Sequence, residues 1–194
     1  MSALAVSFAC RLTRTRESLS VEYAVTNTGK SRIGLFNQIT RFHIDGTFDV
    51  SCNTVYIELD GSSLVAGKLA LPVPPGLRMN SYAPPYTSLV LPGQTFREQV
   101  QIAIPVRVMQ PFRRAMLSGQ VVPDKPTEAT RLHFQIGAFG LQDDVQLVAE
   151  NPAWPALLQA FPPGVAVARQ QVLTQDMPLD PPVRVLDYRA VPWP

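Results

Sequence analysis

Charge is scarce in this 194-residue chain, at 16% of residues, and histidine and cysteine are scarcer, with two of each. Low charge beside 46% hydrophobic residues excludes an intrinsically disordered chain, which is charge-rich and apolar-poor. The net charge of +2 comes from 17 basic and 15 acidic residues spread along the sequence. No basic run forms a nucleic-acid footprint; Arg113-Arg114 and the trio Arg11, Arg14 and Arg16 come nearest. No nucleic-acid partner is expected. Lysine occurs only as Lys30, Lys68 and Lys125, an arginine skew read here as genomic base composition.

Long hydrophobic runs are missing too. No stretch approaches the roughly 18 apolar residues of a membrane-spanning helix, so no membrane insertion is expected. Residues 1–10 alternate and lack the basic start and continuous apolar stretch of a signal peptide. The cytoplasm is therefore the expected compartment. Cys10 and Cys52 could bridge two sheets of an exported domain, or stay as free thiols inside a cell. With nothing else pointing outside the cell, free thiols are the favoured expectation.

The motifs of catalysis are absent as well. There is no Gly-x-Ser-x-Gly elbow, no phosphate-cradling glycine loop and no calcium-loop spacing. His43 and His133 offer no local chelate, and Asp143-Asp144 would point to opposite sides of an extended chain. Solvated histidines and polar turns are the plainer reading. Neither a cofactor nor a metal is expected, and no enzymatic activity.

What is present is alternation with a period of two. Leu4, Val6, Phe8, Cys10 and Leu12 share one face of the first segment, and Leu19, Val21, Tyr23 and Val25 repeat the pattern. Similar strands are expected at 33–36, 55–59, 69–73, 89–91, 97–104 and 131–139, with weaker ones at 145–149, 166–174 and 183–188. Helical periodicity is nearly missing; two short turns are expected at 111–117 and 155–161. The 19 prolines gather at 72–85, 105–126, 152–163 and 178–194, mostly outside the alternating segments, because proline cannot donate to a ladder. The expected fold is all-β: an immunoglobulin-like antiparallel sandwich of about nine strands with long proline-rich loops. One domain is expected over 1–194, with 176–194 an extended proline-rich segment lying along an edge.

A resemblance supports this. Val21-Glu-Tyr-Ala-Val-Thr-Asn-Thr-Gly29, followed later by Leu89-Val-Leu-Pro-Gly-Gln-Thr-Phe96, resembles bacterial immunoglobulin-like domains, in which a strand ends Asn-x-Gly and a later one is introduced by Leu-x-Pro-Gly. It covers about a quarter of the chain and implies a fold, not an activity.

Function is then expected on the proline-rich loops. Met79, Tyr82 and Tyr86 occupy the first, Phe112 and Met116 the second, Trp154 and Phe161 the third. Aromatic loop residues anchor interfaces, and they also pin loops onto their own domain. The leading expectation is a non-enzymatic domain for protein–protein interaction or assembly, including self-association through an edge strand. The alternatives are a small-ligand or carbohydrate-binding module stacking on Tyr82, Tyr86 or Trp154, and a hydrolase built around a carboxylate-paired His43 or His133.

Overall fold

Alternating segments need a partner surface for their apolar face, and the first two find it together. Val6–Arg14 (β1) and Ser18–Asn27 (β2) pair antiparallel over their full length, and Thr95–Ala103 (β8) pairs the other side of β2. These three strands form one sheet. The computed structural model describes residues 3–42, 48–73, 75, 84–110, 112, 120–142, 144–149 and 157–191.

The larger sheet is built around Thr127–Gly140 (β11), whose long antiparallel neighbour is Gln171–Leu186 (β14). On its other side the neighbour changes part-way. Ile33–Phe42 (β3) pairs residues 137–140 of β11, then leaves to join Phe48–Ser51 (β4) and Tyr86–Val90 (β7). Ser63–Lys68 (β6) takes the vacated place along 131–136, bringing Tyr56–Asp60 (β5) with it. The β6–β11 pairing is parallel, as is that of Val106–Arg107 (β9) with β14. A parallel partner requires a long crossover, which the chain makes through β8 in the other sheet. The sheet ends in Gln146–Ala149 (β12) and Leu158–Phe161 (β13), while Gln120–Pro123 (β10) and Tyr188–Val191 (β15) form a separate ribbon.

The class is all-β, with fifteen strands and one short helix among the described residues. That exceeds the expected nine, and two pairings are parallel where antiparallel ones were expected. The strand expected at 69–73 is instead β6, just before it. The expected turns of helix at 155–161 give way to β13; the helix is Pro163–Ala168 (α1), with proline at its start where a missing N–H does no harm. The helix expected at 111–117 lies outside the described residues. The extended segment from 176 supplies the second half of β14, paired with β11 and β9, and then β15, paired with β10. Its prolines fit because the register shifts there, Ala129 opposing Val183 and Arg131 opposing Pro178, so Pro181 and Pro182 stand outside the ladder.

The main core lies between the two sheets and draws on residues from Leu19 to Val185. Val21 and Val25 of β2 and Val100 of β8 meet Leu132, Phe134 and Ile136 of β11, all buried, with the Tyr23 and Phe134 rings 5.2 Å apart. Full burial of one such side chain contributes about 1.5–3 kcal/mol. A second cluster occupies the opposite face of the larger sheet, where Phe36 and Phe139, 4.7 Å apart, pack with Ala160 of β13 and Ala166 of α1. Neighbours Leu35 and Phe36 point into different cores, so β3 is buried on both faces.

Candidate functional site

Three polar side chains stand where strand alternation requires apolar ones. Lys68 continues the inward series Leu64 and Ala66 of β6, and Glu98 continues that of Val100 and Ile102 in β8. Asn37 sits at a bulge of β3, between Phe36 opposite Thr87 and Gln38 opposite Tyr86. A bulge re-aims the side chain it carries. All three meet between the sheets. Lys68, with no exposed side-chain surface, donates from Nζ to Glu98 Oε2 and to the Cys52 carbonyl. Tyr23 donates to the same Glu98 oxygen, and Asn37 Nδ2 to Glu98 Oε1 at 3.2 Å. The ammonium also lies 5.8 Å from the centre of the Tyr23 ring. Burial lowers the Lys68 pKa, partly offset by Glu98, and raises that of Tyr23, reinforced by the Glu98 charge. The carboxylate is thus the hub of a desolvated cluster, and removing it would strand a buried cation.

Beside Tyr23 the row across the small sheet ends on Cys10 of β1. Both cysteines are free thiols, and burial pushes that of Cys10 up to about 12. The outer backbone edge of β1 is clothed by side chains of β14. Gln175 accepts from the Cys10 N–H at 2.7 Å and donates to its carbonyl at 3.2 Å. Gln171 accepts from Leu4 N–H at 3.0 Å, and Arg14 donates back to the carbonyls of Pro181 and Pro182. A carboxamide carries a donor and an acceptor, so it completes a strand edge as a neighbouring peptide would.

At the far end of the larger sheet, β12 has β13 as its single strand neighbour among the described residues. Its four residues, Gln146, Leu147, Val148 and Ala149, include no charge and no proline. Val148 is 41% exposed, and Phe161, opposite Gln146 on β13, is 61% exposed. A cleft of about 460 Å³ runs alongside, lined by Arg32, Leu89, Gln146, Leu147 and Leu158 among others.

The loop aromatics divide. Phe161 is on the surface. Tyr86, the first residue of β7, and Phe112 face their own domain, at 5% and 6% exposure. Met79, Tyr82, Met116 and Trp154 lie outside the described residues, as does His43. His133 pairs through Nδ1 with Asp176 Oδ1 directly across β11 and β14, on the outer face of the sheet. Asp144 is held in a two-pronged ion pair by Arg169 at 2.7 and 2.6 Å, which lowers its pKa. Among the described residues no three His, Cys, Asp or Glu side chains gather as a metal site. None of the described helices is long and apolar enough to cross a membrane. Sequence reading overlooked the Lys68–Glu98–Asn37 cluster, although its inward positions were readable for Lys68 and Glu98 from the alternation on either side. No known protein family, curated protein or solved structure matches this chain.

Proposed function

We propose that this chain is a non-enzymatic immunoglobulin-like sandwich that works in protein assembly, joining a second copy of itself edge to edge through β12. The carrying observation is that β12 has neither charge nor proline and, among the described residues, one strand neighbour, while the β1 edge is covered from within. Uncovered apolar edges template pairing with another chain. Exposed Phe161 and Val148 would flank that seam and add apolar contact. The immunoglobulin-like part of the reading is supported by its two signature turns, which bind each other. Asn27 donates from its carboxamide to the Ser31 and Val90 carbonyls at 2.8 and 3.1 Å, and its backbone N–H and C=O bond Gln94 and Gly93.

Sedimentation velocity across a concentration series tests this. The expected result is a reversible dimer that Val148→Lys weakens at least ~10-fold, the effect of burying an unpaired charge in a seam. A monomer at every concentration overturns it. A ligand-binding reading has one observation in its favour. The outer face of the three-stranded sheet carries a depression of about 470 Å³ lined by Arg11, Glu22, Arg97 and Gln99 over Ala9 and Ala24. Its polar walls would suit a small polar ligand rather than ring stacking.

A further inference from the structure

A buried amine, a buried carboxamide and a carboxylate touching both make up the parts of an amide-forming reaction. Phe36 pairs with Gly137 and Lys68 with Ile136, adjacent residues of β11, so Asn37, one residue beyond Phe36, arrives beside Lys68. Glu98 reaches them from the other sheet, with Oε2 on the Lys68 amine and Oε1 on the Asn37 carboxamide. Asn37 and Lys68 are 1% and 0% exposed. The Asn37 carbonyl oxygen is buried with no hydrogen-bond partner among the described residues. A buried carbonyl left in that state is costly and calls for an explanation.

We propose that Lys68 and Asn37 join in an intramolecular amide cross-link, with Glu98 carrying the protons. Glu98 takes a proton from the Lys68 ammonium, and the neutral amine attacks Cγ of Asn37. With the Asn37 carboxamide turned over, the protonated Glu98 donates to the orphaned carbonyl oxygen and polarises the carbon under attack. The Nζ–Cγ bond forms, the Cγ–Nδ2 bond breaks, the Glu98 proton leaves on the departing nitrogen as ammonia, and Glu98 takes up the second proton that the attacking nitrogen loses on becoming an amide. Nothing is oxidised or reduced, and no co-reactant enters. Burial depresses the Lys68 pKa, which favours the neutral nucleophile. Positioning replaces external activation, because amine and carboxamide are held on the two oxygens of one group. The product would tie β3 covalently to β6, the two strands that share one side of β11. That would stiffen the sheet whatever its partner, and it does not depend on the assembly reading.

The test is intact-mass spectrometry of the purified full chain after prolonged incubation near neutral pH, followed by trypsin digestion. A mass lower than the sequence by one ammonia is expected. Trypsin cannot cut after an acylated Lys68, so peptide 33–41 should travel as a branch on 42–78. Glu98→Gln should restore the full mass with linear peptides. Where that variant does not fold, the wild-type chain decides alone. A full wild-type mass with separate 33–41 and 42–68 peptides overturns the proposal, as does an ammonia loss mapped to any other asparagine.

Discussion

The two ends of this molecule treat their strand edges in opposite ways. At β1 the outward N–H and C=O of Cys10 are both satisfied by Gln175, the Leu4 N–H by Gln171, and Arg14 reaches across to the β14 carbonyls. Nearby, Glu98 and Lys68 join the sheets through their interior. At β12 a short uncharged edge stands beside exposed Val148 and Phe161. Side-chain amides can close a sheet edge without another strand. The sequence spends long polar residues on one side of the fold and none on β12's outward seam except Gln146. An edge closed by the chain's own residues is finished as a monomer, and the proposed assembly uses the apolar edge that no described strand covers.

The closed side should be the more sensitive. Glu98→Ala removes the hub and leaves Lys68 as a buried unpaired cation, an expected loss of about 3–5 kcal/mol in denaturant unfolding. A change near zero would mean that the cluster is not a join between sheets. Gln175→Ala should cost about 1–3 kcal/mol by orphaning the Cys10 backbone, and should make the chain more prone to aggregate through β1. Cys10 sharpens the same point through pH. Its thiol is raised from 9.0 to about 12 by burial, so the folded state keeps a proton that the unfolded chain loses. Its contribution is complete below pH 9 and falls as pH rises towards 12. Denaturation midpoints over that range should decline less steeply in Cys10→Ala. Val148→Lys, at the open end, should change monomer stability by no more than about 0.5 kcal/mol while weakening self-association at least ~10-fold.

Strands with one solvated face were the ones alternation could find. β1, β2, β8 and β11 carry apolar residues at every second place and were legible nearly to their ends. β6 was missed because Val65 and Gly67 stand at its alternate places instead of polar residues and hide the series Leu64, Ala66 and Lys68. β14 was read as fragments and a tail because Pro178, Pro181 and Pro182 argue against a ladder, and only its register shift accommodates them. Parallel pairing depends on β3 leaving β11 at Asn37, a bulge with no local sequence signal. Among the loop aromatics Phe161 is exposed while Tyr86 and Phe112 are buried, a division the sequence does not carry because what packs beneath each ring decides it. Lys68 and Glu98 were readable in principle. Each occupies an inward place in its strand, and an inward charge predicts a partner across the core.

The edge contrast is tested most directly by amide hydrogen exchange measured residue by residue at low and high protein concentration. The Leu4 and Cys10 amides should be protected at both, with Gln175→Ala releasing Cys10. The outward amides of Gln146–Ala149 should exchange freely in dilute solution and become protected as concentration rises. Equal behaviour of β12 at every concentration, or fast exchange at Cys10 in the wild-type chain, would contradict it.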